Sequence, residues 1–510
     1  MFATKKNNAT SFPALPITLT KDAIAPNILE LMPRKLVQDL GAFVFENKDA
    51  VVKIAALSPA AAALKRFAEE RFGSGVEFYQ ATQEDLDFVL GQYKRDFKSE
   101  ILKLAESDIT HNGNNAAIVD TVIEYALRRR ASDIHIEPTR TATEVRFRID
   151  GILQTAVQFP KAMHNAIVAR VKILANMKID EYRLPQDGRI ELEQFPDISL
   201  RISTIPTIYG EKAALRILDE SSKDLSLKQL GFTEAQADIL TRNIEKPFGM
   251  IVTSGPTGSG KTTTLYGLLS MLKKGRMNIS TLEDPVEYAL DGVNQIHINP
   301  RVQLTFASGL RALLRQDPDA IMVGEIRDSE TAVMAANAAL TGHLVLTTMH
   351  TNDAPSVFTR LLEMKVEDFT VASIVNLVVA QRLVRKICDN CKVENVLSDI
   401  MRQRVSARPD ALQALKHLDK GADTLTNRKF AHGVGCDACL HTGYSGRVGM
   451  FELLELTEEM HNLILSHAPA EKIKAEACKH GFVDMMVDGI DKVLNGTTTF
   501  EEVLRATRSV

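Results

Sequence analysis

One glycine-rich octapeptide constrains the fold of this chain more than any other segment. Residues 255–262 are GPTGSGKT; they follow the apolar residues 250–253 and precede residues 263–272, which are compatible with a helix. Glycines let successive backbone N–H groups turn inward around phosphate groups, Lys261 offers them a positive charge, and the Thr262 hydroxyl can bind Mg²⁺. The pattern predicts a phosphate-binding loop between a strand and a helix.

We call residues 255–262 the phosphate loop and expect it to bind a nucleotide. A glycine-rich turn without a ligand is the alternative, and the flanking strand and helix argue against it. The predicted nucleotide-binding residues are Gly255, Pro256, Thr257, Gly258, Ser259, Gly260, Lys261, Thr262 and Thr263.

Length and composition indicate a soluble protein of several domains. A chain of 510 residues exceeds what one hydrophobic core usually organises, so we expect about three domains. The 45% hydrophobic and 25% charged composition is typical of globular proteins. A formal net charge of -4 gives no general attraction to nucleic acid.

No segment predicts export or membrane insertion. Residues 1–26 have no continuous apolar stretch of the kind found in secretory signals. The longest apolar segment with a helical pattern, residues 369–380, is interrupted by Ser373 and Asn376 and is too short to span a bilayer. We therefore expect the chain in the cytosol.

Composition shifts divide the chain into three α/β units. The predicted segments are a flexible N-terminus (1–26), a small α/β domain (27–104), a linker (105–115), an α+β domain (116–218), a hinge (219–224) and a large α/β domain (225–510). In the second unit, Asp150 and Gly151 predict the turn of a β-hairpin. Residues 381–510 are expected to be mainly helical, with Cys478 as a small core residue.

Polar residues follow four predicted strands of the large domain. Strands at 250–253, 278–282, 320–323 and 344–347 are followed by the phosphate loop, Glu283, Glu325 and His350, respectively. The carboxyl ends of parallel strands meet at one crevice, so these groups should converge.

Phosphoryl transfer needs a group that orients water and cations that stabilise the transition state. Glu325 is the first candidate for activating water or holding Mg²⁺ through water, and Glu283 is the second; the sequence leaves open which does which. Helix capping or solvation is the alternative for Glu283 and Glu287. A structural role is the alternative for His343 and His350.

Four of the five cysteines form two C-x-x-C pairs. They are Cys388 with Cys391, and Cys436 with Cys439. Four thiolates suit tetrahedral structural zinc, although the long separation of the pairs leaves free thiols as an alternative.

Further segments resemble motifs of the type II secretion and type IV pilus assembly ATPases. The aspartate box, Walker B motif and histidine box of that family are matched in order by TLEDPVE (281–287), VGEIRD (323–328) and TGHLVLTTMHTND (341–353). Upstream matches are ASDIHIEP (131–138), RIDG (148–151), LPQDGR (184–189) and GEK (210–212). The cysteine pairs match a tetracysteine module that spans about 386–450. The resemblance covers roughly residues 116–455.

The resemblance implies a hexameric motor that binds ATP and Mg²⁺. A RecA-like P-loop domain and a PAS-like α+β domain would clamp ATP, and the small N-terminal domain would dock onto a partner. Arg201 and Arg216 match arginines that reach toward the phosphates, although strand arginines are often simply solvated. The arginines that match further family positions at nucleotide or subunit contacts are Arg311, Arg315, Arg327 and Arg360.

The implied task is assembly of a type IV pilus or a type II secretion pseudopilus. The resemblance implies an inner-membrane platform protein and a cytoplasmic docking protein as partners, with the motor at the cytoplasmic face of that membrane. The sequence does not separate pilus assembly from secretion. A DNA uptake or transfer motor is an alternative, suggested only by the basic run at 128–130, which a helix-end charge cluster explains equally well. A scaffold without turnover is disfavoured by Lys261, Thr262 and Glu325.

Overall fold

In the computed structural model, four β-sheets organise the described part of the chain. The described residues are 15–16, 24, 28, 31–32, 34–48, 51–58, 61–72, 75–92, 115–192, 195, 197–219, 226–273, 277–418 and 424–508. The sheets have strand orders β1-β4-β3-β2, β7-β6-β5-β10-β9-β8, β13-β12-β14-β15-β11-β16-β19 and β17-β18. No helix in these ranges is long and apolar enough to cross a membrane.

The four-stranded sheet forms the first α/β unit. Its strands are β1 (Leu15–Pro16), β2 (Ala42–Lys48), β3 (Val51–Ala56) and β4 (Val76–Gln80), and its helices are Arg34–Leu40, Ala62–Phe72 and Gln83–Gln92. Leu15 pairs with Tyr79 and Pro16 with Gln80. Both residues lie within the segment 1–26 that is predicted to be flexible, and a two-residue strand is too short to carry a sequence signal. The predicted linker, apart from its last residue, lies outside the described residues.

The six-stranded sheet is antiparallel. Its strands are β5 (Ala131–Pro138), β6 (Ala142–Ile149), β7 (Ile152–Pro160), β8 (Gln186–Glu191), β9 (Ile198–Thr207) and β10 (Gly210–Asp219), with helices Asn115–Arg128 and His164–Leu174. Asp150 and Gly151 form the tight turn predicted between β6 and β7. Side chains alternate along the strands, so one face packs on the two helices and the other is polar. The predicted hinge, residues 219–224, lies outside the described residues except at its first position.

The seven-stranded sheet has a parallel centre. Its strands are β11 (Gly249–Ser254), β12 (Ile279–Glu283), β13 (Asn294–His297), β14 (Ala320–Val323), β15 (Leu344–Met349), β16 (Val375–Ile387) and β19 (Tyr444–Glu455), of which only β19 runs antiparallel. Met250 and Val252 pack into one apolar cluster, whereas Ile251 packs into another on the opposite face. Both faces are thus buried, as in doubly covered parallel sheets.

Helices cover both faces of this sheet. They are Leu227–Leu230, Glu234–Ile244, Lys261–Leu272, Phe306–Leu313, Ser329–Leu340, Ser356–Glu363, Asp368–Ile374, Asp399–Ser406, Pro409–His417, Thr424–Asn427, Glu458–Leu465, Ala470–Lys479, Met485–Leu494 and Phe500–Ala506. The remaining two strands, β17 (Lys392–Val396) and β18 (Lys429–Gly433), form a separate ribbon beside the cysteine pairs.

In the C-terminal third, strands interrupt the predicted helical character. The apolar segment 369–380 contributes to a helix only up to Ile374, and β16 begins at Val375. Strand β16 lies between β11 and β19, where β-branched Val378 and Val379 pack on opposite faces of the sheet. This long-range packing outweighs the local helical pattern because β-branched residues favour a pleated, buried surface. Cys478 is exposed, so its predicted place in the core is wrong.

A buried carboxyl group connects three segments of the C-terminal part. Glu452 on β19 accepts hydrogen bonds from the backbone N–H groups of Ala354 at 2.7 Å and Met485 at 3.1 Å. Burial raises its pKa to about 7, although the two N–H groups favour the charged form. The native state therefore binds more protons than the unfolded state between the ordinary pKa and the raised one, and stability falls as pH rises through this range.

The unmodified protein should lose stability as pH rises from 5 to 8, and we expect Glu452→Gln to lose less. Over this pH range, the raised pKa of Glu452 changes the free energy of unfolding by about 3 kcal/mol at most. Urea unfolding at several pH values measures the difference. Glu455→Gln on the same strand is the matched control: hydrogen bonds from Arg242 and Asn243 overcome burial and lower the pKa of Glu455, so its contribution is lost as pH falls. An unchanged pH slope in Glu452→Gln would contradict the assignment.

Candidate active site

A cleft of about 1070 Å³ lies between the six-stranded and seven-stranded sheets. One wall consists of the phosphate loop together with Glu283 and Glu325. The opposite wall comes from the six-stranded sheet and includes Asp133, Arg148 and Arg216. Further basic lining residues come from β16, β19 and the C-terminal end: Arg382, Arg385, Arg447, Arg505 and Arg508. Phosphate-binding, acidic and basic groups therefore face one space.

Positive φ angles shape the phosphate loop. The φ angles of Gly255, Gly258 and Gly260 are 143°, 77° and 87°, and helix Lys261–Leu272 begins directly after Gly260. A Cβ atom at Gly255 would lie 2.4 Å from the carbonyl oxygen of Gln381, so only glycine fits there. The loop thus ends at a helix N-terminus, whose N–H groups and dipole favour an anion.

Lys261 directs its ammonium group back into the phosphate loop. Its Nζ donates to the carbonyl oxygens of Gly255 at 2.9 Å and Pro256 at 3.2 Å. Burial lowers the pKa of Lys261, and the charge of Glu325 opposes this decrease. A buried ammonium held mainly by neutral carbonyl groups would gain stability from an anion in the loop. Thr262 and Thr263 follow in the first helical turn and also line the cleft.

A glutamine that the sequence analysis did not identify braces the loop. Gln381 on β16 donates through Nε2 to the carbonyl oxygen of Ser259 at 2.6 Å, and its Oε1 accepts from Thr264 Oγ1 at 2.8 Å. It is buried and directly follows the apolar residues 377–380 of this strand. A polar residue inside a strongly apolar segment was the available signal, because a buried amide requires partners.

Glu325 follows β14 and reaches the cleft. Its Oε2 lies 2.6 Å from Arg327 Nε and 3.5 Å from His350 Nε2. The hydrogen bond to Glu325 raises the pKa of Arg327. The carboxylate is largely but not fully buried, with 15% of its side chain exposed. The structure therefore brings together Glu325, His350 and Lys261, three residues predicted for this site.

Glu283 is more enclosed than Glu325. It accepts hydrogen bonds from Thr281 Oγ1 at 2.5 Å, from Gln295 Nε2 at 3.1 Å and from the hydroxyl of Tyr266. Burial and the charge of Glu283 raise the pKa of Tyr266. These contacts place Glu283 neither in a helix cap nor in solvent, so both alternatives for it are wrong. Its oxygens accept hydrogen bonds from three neutral side chains, whereas Glu325 pairs with Arg327 and lies beside His350.

The two histidines differ in position. His343 Nδ1 lies 2.9 Å from the carbonyl oxygen of Ala338, at the end of helix Ser329–Leu340 and outside the cleft lining. The structural alternative is therefore correct for His343. His350 lines the cleft beside Glu325.

Arg201 and Arg216 are neighbours across β9 and β10, and only Arg216 lines the cleft. Across the cleft, burial raises the pKa of Glu287, and the positive charges of Arg216 and Arg201 oppose this increase. Glu287 is half-buried and lines the cleft, so the alternative of a solvated surface carboxylate does not describe it. Away from the cleft, Arg311 pairs with Glu330, Arg360 pairs with Glu363, and Arg315 donates to the carbonyl oxygen of Arg311.

The four predicted cysteines form one cluster. The Sγ atoms of Cys388, Cys391, Cys436 and Cys439 all lie within 4.8 Å of one another. Separations of 3.8 Å for Cys388–Cys436, 3.8 Å for Cys391–Cys439 and 3.7 Å for Cys436–Cys439 match the edges of a tetrahedron with zinc–sulfur bonds of about 2.3 Å. Burial opposes ionisation of Cys439, but N–H groups of Cys436 and Gly443 help to lower its pKa to about 6. The donor set fits zinc.

Residues 110–505 match the family described as type II/IV secretion system protein. The chain belongs to this family. It is 43% identical over 422 residues to the type IV pilus assembly ATPase TfpB of Acinetobacter baylyi, across 81% of this chain and 69% of that protein. It is 45% identical over 392 residues to the type II secretion system protein HxcR of Pseudomonas aeruginosa, across 77% of each.

A solved structure gives the same assignment at the level of the fold. The X-ray structure of the Legionella pneumophila ATPase DotB aligns with a TM-score of 0.54 and 21% identity, over 76% of this chain and 94% of that one. This secretion-family chain therefore has the α/β fold of known ATPases, and its family membership identifies it as an ATPase.

We expect Gln381→Leu to weaken nucleotide binding by this secretion-family ATPase. The change removes the hydrogen-bond partner of the buried Ser259 carbonyl and of the Thr264 hydroxyl. Each unsatisfied group destabilises the loop by about 1–3 kcal/mol. Titration with a fluorescent ATP analogue measures the affinity. Asn376→Leu is the matched control, because Asn376 lies on the same strand and donates to Phe248 away from the cleft. Equal affinities in the two variants would count against the brace.

We also expect the purified chain to contain one Zn²⁺ per molecule. Elemental analysis measures the metal content, and Cys439→Ser should lower both this content and the melting temperature because a tetrahedral ligand is lost. Cys478→Ser is the control, since Cys478 is exposed and lies outside the cluster. Unmodified protein that is free of metal yet unaffected by chelator would contradict the assignment.

Proposed function

We propose that the chain is a hexameric ATPase motor that assembles a type IV pilus or a type II secretion pseudopilus. The observation that carries the proposal is the cleft itself, where a phosphate loop on one sheet faces arginines on another. Hydrolysis at such a site can be coupled to movement of one unit against the other. The relatives TfpB and HxcR are named for a pilus and for a secretion system, and their names support both branches of the proposal.

The proposed roles within the cleft follow from geometry and charge. The backbone of the phosphate loop and Thr263 would surround the phosphates of ATP, Lys261 would contact the β/γ-phosphates, and Thr262 would ligate Mg²⁺. Bound Mg²⁺ offsets negative charge on the phosphates.

Glu325 is our candidate for orienting the attacking water and accepting its proton, because it is the less enclosed carboxylate. Its closest charged partner is Arg327, and His350 Nε2 lies 3.5 Å from the same oxygen. His350 would help to hold Glu325 in position. Glu283, with its hydrogen-bonded oxygens, would be a supporting group in the wall of the cleft.

Arg216 and Arg201 would stabilise charge that develops on the phosphates. Arg216 already lines the cleft, and Arg201 is its partner on the neighbouring strand. Because both residues belong to the six-stranded sheet, their approach to the phosphates would require this sheet to close on the phosphate loop. Such closure would link nucleotide state to the relative position of the two units.

The domain assignments follow from this function. We propose that residues 116–218 are a PAS-like domain and 225–510 a RecA-like domain with its tetracysteine zinc module, separated by a hinge at 219–224. The first α/β unit, 27–104 together with β1, would dock onto a cytoplasmic protein of the machine. An inner-membrane platform protein would receive the motion, which places the motor at the cytoplasmic face of that membrane.

The local contacts of the basic run at 128–130 favour this function over a DNA motor. Arg128 pairs with Glu124 one helical turn away, and Arg129 lies 4.7 Å from the centre of the Tyr125 ring. Two of the three cations are therefore engaged on their own helix, as expected of a charge cluster at a helix end.

The test is ATP hydrolysis across a range of protein concentrations. Specific activity should rise with concentration as hexamers form, and light scattering should detect a sixfold mass in the same range. Glu325→Gln should lower kcat by about 100-fold or more, because a positioned proton acceptor is lost. Glu124→Gln, which removes a carboxylate outside the cleft, should retain activity.

Each component of the proposal can fail separately in this experiment. Full activity in Glu325→Gln would remove the catalytic assignment. Constant specific activity from a monomer would remove the hexameric motor.

A further inference from the structure

The polar face of β5 carries two similar carboxylate clusters. Asp133 contacts Arg216 on β10 and Arg148 on β6, whereas Glu137 contacts Lys212 on β10 and Arg146 on β6. We call these groups the Asp133 cluster and the Glu137 cluster. In each, a central carboxylate holds one cation from each neighbouring strand.

Strand register produces this arrangement. Asp133 lies directly opposite Arg216 on one side and Arg148 on the other. Ile134 and Ile136 alternate with the acidic residues and pack into the apolar core. The carboxylates are thus fixed on the polar face by the burial of the residues between them.

The two clusters differ in where they face. All three members of the Asp133 cluster line the cleft with the phosphate loop, and no member of the Glu137 cluster is among the lining residues. One carboxylate cluster therefore faces the proposed phosphate position, while the other provides an internal comparison on the same strand.

The contact with Asp133 leaves the outer nitrogens of Arg216 able to bind an anion, whereas Arg148 also donates from Nη1 to the carbonyl oxygen of Gly151 at 3.0 Å. Oδ1 lies 3.2 Å from Arg216 Nε, and Oδ2 lies 3.5 Å from Arg148 Nε. Because Arg216 contacts Asp133 through Nε, the two Nη nitrogens of Arg216 remain available for phosphate oxygens. Ser132 Oγ donates to Oδ2 at 2.8 Å and fixes the carboxylate.

Stability alone does not account for the Asp133 cluster. The Arg216 side chain is 58% exposed and that of Arg148 is 39% exposed, whereas Asp133 is only 15% exposed. Ion pairs with such exposed cations contribute little to folding stability. The carboxylate is anchored and the cations extend from it into the cleft, which is the arrangement that positions a mobile side chain for a ligand.

We propose that Asp133 is a positioning residue that holds Arg216, and with it Arg148, toward the phosphates of bound nucleotide. This inference rests on the proposed function, in which Arg216 stabilises the transferring phosphoryl group. Asp133 does not touch substrate; it restricts Arg216 to orientations from which phosphate is within reach. Pre-positioning lowers the entropic cost of forming the contact at the moment of reaction.

The test compares three variants with the unmodified protein in steady-state ATP hydrolysis. Asp133→Asn should lower kcat by about 10- to 100-fold, since displacing a reacting group costs this much. KM for ATP should not rise, because removal of a negative charge does not weaken the attraction of the cleft for phosphate. Asp133→Glu should recover part of kcat. Glu137→Gln, the matched control, should retain kcat although it loses the same kind of ion pairs.

A double-mutant cycle decides whether Asp133 acts through Arg216. Adding Asp133→Asn to Arg216→Ala should lower kcat by no more than about twofold, the range expected when one residue acts through the other. An equal loss in both backgrounds, or an equal loss in Glu137→Gln, would overturn the proposal. Melting temperatures of Asp133→Asn and Glu137→Gln should agree, which separates positioning from misfolding.

Failure of the proposed function gives a different result. If Arg216→Ala alone retains full kcat, then the role of Arg216 in the proposed function is wrong, and the positioning role of Asp133 is wrong as well. If Arg216→Ala is slow but Asp133→Asn is not, only the positioning proposal fails.

Discussion

The close approach of the phosphate loop to β16 is the constraint on which the cleft depends. The loop leaves β11 at Gly255, where a side chain would collide with the backbone of Gln381. The side chain of Gln381 then holds Ser259 and the first turn of the following helix. A loop held in this way keeps its N–H groups directed at an anion without reorganisation when one binds, which is the property that makes such loops effective.

The two walls of the cleft are unlike, and their difference suggests how closure is driven. The side of the seven-stranded sheet supplies a helix N-terminus, Lys261, four carboxylates and the arginines of β16 and β19, whereas the six-stranded sheet supplies Arg148 and Arg216 beside Asp133 and Asp150. Neither wall alone neutralises a triphosphate. Nucleotide between the walls would attract both, and exclusion of water on closure would strengthen each contact. Loss of phosphate would remove this attraction and allow the walls to separate.

Local sequence patterns predicted those parts of the site that local physics determines. Glycines with positive φ, residues at the ends of parallel strands, and paired cysteines each carry a signal within a few positions, and the phosphate loop, Glu325, His350 and the cysteine cluster are brought to the expected places. Strands β16 and β19 were not predicted, because their pairing joins residues about 70 positions apart and depends on burial between other strands. The role of Gln381 and the Asp133–Arg216 contact were not predicted for the same reason: each joins residues that are distant in sequence.

The tetracysteine cluster and the cleft share the same two long strands. Cys388 follows β16 directly, and Cys439 lies five residues before β19 begins at Tyr444. Strand β16 also carries Gln381, and the beginning of β19 carries Arg447, so the cysteine cluster lies where two strands that line the cleft end and begin.

A second set of contacts reinforces this link. Arg385 lies 4.0 Å from the centre of the Tyr444 ring and pairs with buried Glu502, which also holds Arg505. Hydrogen bonds from Arg505 and Arg385 outweigh the effect of burial and lower the pKa of Glu502 to about 2, so this carboxylate stays charged and keeps both cations in place. Strands and buried ion pairs thus connect the cysteine cluster with the basic side of the cleft.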